Sequence, residues 1–143
     1  MTDAPVLQQI NLVVTDLDET IAFCRLLGWD VEHPGFGHLE VDTGSGVTIE
    51  FDEVESVAMW NRGSAGVGSG TTVVTLSVRS RDEVDRMCAV LTEAGYACPQ
   101  PPFDAFWGSR FAIITDRDGN QFGLMSPVDA DRRYRPPQPP PAD

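Results

Sequence analysis

The sequence predicts an α+β protein built as two tandem β-α-β-β-β modules with curved mixed sheets. Three observations carry that reading. First, the chain matches itself at an offset of 64 residues: Gln9 to Glu19 falls on Val73 to Glu83, Cys24 on Cys88 and Leu27 on Leu91. Second, each copy runs from an apolar strand pattern into a helix-start signature. Asp16 with Glu19, and Ser80 with Glu83, have the spacing of a capping box, in which side chain and backbone N–H groups satisfy each other reciprocally. Third, after a slip of three residues Gly28-Trp29 falls on Gly95-Tyr96. That places a glycine, the residue best suited to ending a helix, at the close of each copy. Halves of roughly 60 residues are marginal alone, so they are expected to pack together, with any ligand held between modules or subunits.

The elements follow in order. Leu7 to Val14 ends in an apolar run and reads as a half-buried strand. Ile21, Cys24 and Leu27 then recur at helical spacing up to Gly28. Val31, His38 to Thr43 and Gly46 to Phe51 read as strands, the last two joined by the tight turn Thr43-Gly44-Ser45-Gly46. Glu53 to Trp60 has room for a short helix. In the second copy, Thr71 to Val78 is a strand, and Val84, Met87, Cys88 and Leu91 form the buried stripe of a helix. Tyr96 to Cys98, Arg110 to Thr115 and Gln121 to Ser126 are strands. The last two are joined by Asp116-Arg117-Asp118-Gly119-Asn120, a hairpin turn rather than a calcium loop, because the third acidic position and the distal glutamate are missing. The organisation is thus a module over 1–62, a Gly-rich linker over 63–70, a module over 71–127 and an Arg/Pro-rich tail over 128–143. That tail can continue neither helix nor sheet.

Charge narrows the partners. The formal net charge is −12, and every basic residue is arginine. Such a surface repels phosphate backbones, which argues against nucleic acid, and attracts cationic ligands. No apolar run reaches the roughly 18 residues of a membrane span, and the first residues lack the apolar core of a signal peptide, so a cytoplasmic protein without a membrane partner is expected. Cys24, Cys88 and Cys98 are odd in number and lack CxxC spacing, as expected of packed thiols. The Gly-Val-Gly-Ser-Gly stretch at 66–70 does not lie between a strand and a helix, so it is not a dinucleotide loop. Neither a P-loop nor a nucleophile elbow occurs.

Several of these residues carry a family resemblance. Val14-Thr15-Asp16-Leu17 leading to Phe23 and Leu27-Gly28-Trp29, then Trp107-Gly108-Ser109-Arg110 and Asp116-Arg117-Asp118-Gly119-Asn120, resemble the vicinal oxygen chelate superfamily of glyoxalases, bleomycin resistance proteins and extradiol dioxygenases. The resemblance spans about residues 6 to 127, and Arg117 stands where the family turn usually has proline. It implies that each module curls its mixed sheet into half a cup and that two halves enclose a cavity, either within one chain or across a dimer; a homodimer is the expected form. In metal-dependent members it implies four ligands, from the first and last strands of each module, usually His, Gln or Glu.

The repeat allows those four positions to be read here. In module one they are Gln9 and Glu50. Their counterparts are Val73 and Gly123, which offer no donor. A divalent metal needs about four to six donors, only some of which water can supply. The expectation is therefore a protein without a cofactor, with Gln9 and Glu50 as residual metal candidates. His33 and His38 lie off the family positions; His38 would point inward under a favourable sheet register, but it reads as a solvated strand histidine. Without a metal, Glu50 is a lone carboxylate beside a cavity, able to hold a cation or to act as a catalytic base. Trp60, Phe103, Phe106, Trp107 and Arg110, with Gln9 and Glu50, are the expected ligand-binding residues, since aromatic planes with a few polar groups suit a small-molecule pocket. Arg110 could instead pair with Asp104 or Asp116. The function expected is metal-free binding of a small organic molecule, cationic or aromatic, of the antibiotic-resistance type. The alternatives are a metal-dependent lyase, isomerase or dioxygenase, and a metal-free enzyme using Glu50 as base.

Overall fold

In a computed structural model, residues 7–61 and 66–136 are described. The chain divides into two units. The first holds residues up to Val73 together with the turn Thr115–Gln121, and the second holds Val74–Ile114 and the chain from Phe122 onward.

The first unit contains β1 (Gln9–Val14), α1 (Leu17–Leu26), β2 (His38–Asp42), β3 (Thr48–Glu53) and α2 (Val54–Ala58). Its three strands lie in the order β1-β3-β2. β3 runs parallel to β1 and antiparallel to β2, which makes the sheet mixed. Alternation sorts the side chains. Leu12, Val14, Leu39, Val41, Ile49 and Phe51 are buried, and α1 packs against β3 with Leu17, Ile21 and Cys24 buried. Gln9, Asn11, His38, Glu40, Asp42, Thr48, Glu50 and Asp52 alternate with them and occupy the opposite face.

The second unit contains β4 (Val73–Ser77), whose first residue belongs to the first unit, then α3 (Arg81–Glu93), β5 (Gln100–Asp104), β6 (Arg110–Thr115) and β7 (Gln121–Met125). The strand order is β4-β7-β6-β5. Val84, Met87, Cys88 and Leu91 of α3 are buried, as the helical spacing predicts.

Both helix starts carry the expected cap, but only half of each capping box forms. Asp16 accepts from the Asp18 N–H and Ser80 from the Glu83 N–H. The glutamates turn elsewhere: Glu19 pairs with Arg117 and Glu83 with Arg86. The helix ends match each other closely. The N–H groups of Gly28 and Trp29 donate to the carbonyls of Arg25 and Cys24, and those of Gly95 and Tyr96 to Thr92 and Leu91. These are the paired bonds of a Schellman closure, with Gly28 and Gly95 at φ of 92° and 94°.

Two expected strands are absent for local reasons. Val31 forms no strand because its carbonyl is taken by the Arg25 guanidinium, at 3.1 Å from Nε and 2.9 Å from Nη2. Among its described residues the first unit therefore has three strands where four were expected. Tyr96 to Cys98 is not a strand either, because the Tyr96 N–H is spent on the helix closure. The strand forms later, as β5. The Asp116–Asn120 turn is built on the Asp116 carboxylate, which accepts from the Asp118 and Asn120 N–H groups, both at 2.9 Å, and from Asn120 Nδ2 at 2.8 Å. Asp118 in turn accepts from Thr15 Oγ1 at 2.6 Å.

The linker and tail expectations fall partly on residues 62–65 and 137–143, which lie outside the described residues, as do residues 1–6. Within the described part of the Gly-rich stretch, Ser69 Oγ accepts from the Gln121 N–H at 3.0 Å and donates to the Thr72 carbonyl at 2.8 Å. The described tail lies across the loop between β5 and β6. Tyr134 donates its hydroxyl to the Asp104 carbonyl at 2.6 Å and its N–H to Phe106 at 3.0 Å. Among the described residues no helix is long and apolar enough to cross a membrane.

Candidate functional site

The open face of the first sheet concentrates the chemistry. β3 is the central strand, so Glu50 and Asp52 have neighbours on both sides. Register puts Asn11 beside Glu50 on β1, and His38 opposite Asp52 and Glu40 opposite Glu50 on β2. Strand neighbours on one face sit within side-chain reach, so this register alone brings one imidazole and three carboxylates together.

His38 is the pivot. Its Nδ1 lies 2.6 Å from Asp52 Oδ1, and its Nε2 lies 3.5 Å from both Glu40 Oε1 and Glu50 Oε1. The ring stacks on Phe36, with centroids 6.3 Å apart and planes 12° from parallel. Asn11 Nδ2 donates to Asp52 Oδ2 at 3.1 Å and accepts, through Oδ1, a bond from Gln9 Nε2 at 3.1 Å. The hydrogen bond to Asp52 raises the His38 pKa above its ordinary value, further helped by the nearby glutamates and opposed by partial burial. Burial raises the Glu50 carboxyl, the Glu40 carboxyl beside it adds to this, and His38 works against it. Glu50 is only 5% exposed.

Next to this cluster lies a pocket of about 410 Å³, lined by Gln9, Asn11, Phe36, His38, Asp52, Ser56, Met59 and Trp60. The lining combines polar side chains with three large apolar ones. Phe36, Met59 and Trp60 are 63%, 82% and 57% exposed. Large apolar side chains grouped at a pocket mouth are more informative than the same residues scattered singly.

The expected site residues thus separate. Gln9 and Trp60 line the pocket, and Glu50 lies on the same sheet face, against His38. Phe103, Phe106, Trp107 and Arg110 belong to the second unit. There, Trp107 makes edge contacts with Phe103, Phe106 and Phe111 at centroid distances of 6.3, 5.1 and 5.3 Å. Arg110 pairs with Asp85 at 3.0 Å and Asp104 at 3.3 Å, not with Asp116. His38 faces the pocket and is held by carboxylates, instead of standing in solvent as expected. Glu40, Asp52, Asn11 and Phe36 escaped sequence reasoning, and His38 was assigned to solvent. The signal was present in His-Leu-Glu-Val-Asp and Thr-Ile-Glu-Phe-Asp, two strands that alternate polar and apolar in step.

The family's four ligand positions do not fit a metal centre. Val73 offers no donor. At Gly123 a Cβ would come within 2.9 Å of both Phe111 Cε2 and Thr75 Oγ1. Side chains of the second unit already fill the space that a ligand there would need.

The sequence profile of the Glyoxalase/Bleomycin resistance protein/Dioxygenase superfamily matches residues 6–124. The chain belongs to this superfamily. Among solved structures, it is similar to a glyoxalase-related enzyme from Fulvimarina pelagi, with a TM-score of 0.74, 20% identity, and coverage of 90% of this chain and 95% of that one. It is also similar to TnmS3, an antibiotic binding protein from Streptomyces sp. CB03234, with a TM-score of 0.61, 25% identity, and coverage of 90% and 100%. A third similar structure is the fosfomycin resistance protein FosX from Listeria monocytogenes, with a TM-score of 0.65, 20% identity, and coverage of 92% and 99%. No curated protein matches the chain in sequence. The superfamily thus gathers proteins of varied function around one fold, and function must be argued from the site.

Proposed function

We propose that this superfamily member binds a small, flat organic molecule carrying a cationic nitrogen, in the pocket of its first unit, without the four-ligand metal centre of metal-dependent members. The observation that carries this reading is the pocket's lining, which brings aromatic side chains and a carboxylate together. Phe36 and Trp60 offer aromatic planes for stacking, while Asp52 and its neighbouring carboxylates supply the negative charge that draws a cation. A volume of about 410 Å³ lies within the ordinary range for small-ligand pockets. The net charge of −12 favours the same class of ligand. The likeness to an antibiotic binding protein at 25% identity supports sequestration over turnover. In this reading the protein works as a cytoplasmic homodimer.

The test is a titration of the full chain with a panel of planar cationic dyes, followed by intrinsic tryptophan fluorescence. At least one dye saturates a single site. Trp60→Ala weakens that binding by about five- to thirtyfold, since an aromatic contact with a desolvated cation is worth about 1–2 kcal/mol. A panel without binders, or equal affinity in Trp60→Ala, contradicts the reading.

A further inference from the structure

We propose that His38, Glu40 and Glu50 form a divalent-cation site on the open face of the first sheet, with Asp52 as its positioning residue. The site differs from the family's arrangement. Two of its donors, His38 and Glu40, lie on β2, which carries none of the four family positions, and it needs nothing from the second unit.

Four observations lead to it. The donor atoms of the three side chains all lie within 4.8 Å of one another. His38 Nε2 is 3.5 Å from each glutamate oxygen. Metal bonds of about 2.0–2.2 Å in a tetrahedral centre put neighbouring donors roughly 3.3–3.6 Å apart, so two edges of that centre are already set. The other ring nitrogen is held by Asp52 at 2.6 Å. A carboxylate on the far nitrogen fixes the tautomer and aims the free nitrogen, as is usual for metal-bound histidine. Asp52 is itself fixed by Asn11. Finally, Glu50 is more than nine-tenths buried on this face. Glu40 lies directly across from it, and like charges in that position are unfavourable unless something between them compensates. An imidazolium offsets one of the three carboxylate charges, whereas a divalent ion offsets two.

One nitrogen and two carboxylate oxygens suit a first-row divalent ion such as Zn²⁺ or Mn²⁺, with water completing the shell. The proposal does not rest on the small-molecule reading, and it is tested with metal alone.

The experiment is calorimetric titration of the full chain, stripped with chelator, with zinc chloride and then manganese chloride. About one equivalent binds, and the thermal midpoint rises with free metal, as it must when a ligand binds only the native state. Glu50→Gln and His38→Ala each weaken the site by at least tenfold. Asp52→Asn, which keeps a hydrogen-bonding group beside the ring but removes the charge, weakens it by about 10–100-fold while the metal-free fold is unchanged by circular dichroism. His33→Ala, whose ring accepts from the Gly35 N–H, leaves binding unaltered. Absence of saturable uptake, or uptake that survives in the Glu50→Gln and His38→Ala variants, overturns the proposal.

Discussion

Phe51→Ala is expected to cost about 3–5 kcal/mol of stability, because it deletes a large aromatic side chain from a packed interior and leaves a cavity. Phe51 is wholly buried in the central strand of the first sheet, on the face opposite Glu50 and Asp52. Typical domains hold only about 5–15 kcal/mol in reserve, so the variant should melt about 10 °C or more below the parent. Phe51→Leu keeps most of the apolar volume and should cost about 1 kcal/mol. Phe36→Ala, a change at an exposed aromatic, should stay within about 0.5 kcal/mol. Urea denaturation of the three variants checks the ranking. Equal costs for Phe51→Ala and Phe36→Ala would show that the sheet has been assigned the wrong inner face.

The second large effect is expected at Gly108. Its φ is +100°, and a Cβ there would sit 2.3 Å from the Asp129 carbonyl oxygen and 3.1 Å from its carbon. Backbone strain of this kind costs about 1–3 kcal/mol, and forcing the neighbouring chain aside adds about 1–3 kcal/mol. The neighbour is the tail itself, since the Asp129 N–H donates to the Gly108 carbonyl at 3.0 Å. Gly28 is the internal control. Its φ is +92°, but nothing lies within 4 Å of the built Cβ, so Gly28→Ala carries the conformational cost of about 1–2 kcal/mol alone. Gly108→Ala should therefore be the more damaging by at least 1 kcal/mol in chemical denaturation. It should also loosen the tail, read as faster proteolysis after residue 127. Equal losses at the two glycines would mean that the tail does not lie against this loop.

The parts of this protein that were legible in the sequence are those fixed by local chemistry. Asp16 and Ser80 announce the two helices, and Gly28 and Gly95 end them, because caps and closures depend on a few adjacent residues. The repeat then points to the superfamily fold. Val31 and Tyr96 were misread because their backbone groups are claimed from outside the strand pattern, by the Arg25 guanidinium and by the helix closure. Neither competitor is visible in hydrophobic alternation. For the site, Gln9 and Glu50 came from the family positions and share one sheet face. His38, Glu40 and Asp52 depend on the pairing of β2 with β3, a register that no single strand encodes. Phe103, Phe106 and Trp107 stood out by composition alone, and in the structure they pack chiefly on one another and on Phe111.

On the proposed reading, ligand binding belongs to the open face of the first sheet. The measurement that tests it most directly is amide and side-chain chemical-shift mapping of the isotope-labelled chain, titrated with a planar cationic dye. The largest shifts are expected to cluster at Gln9, Asn11, Phe36, His38, Asp52, Ser56 and Trp60. Shifts centred instead on Phe103, Trp107 and Phe111 would contradict it.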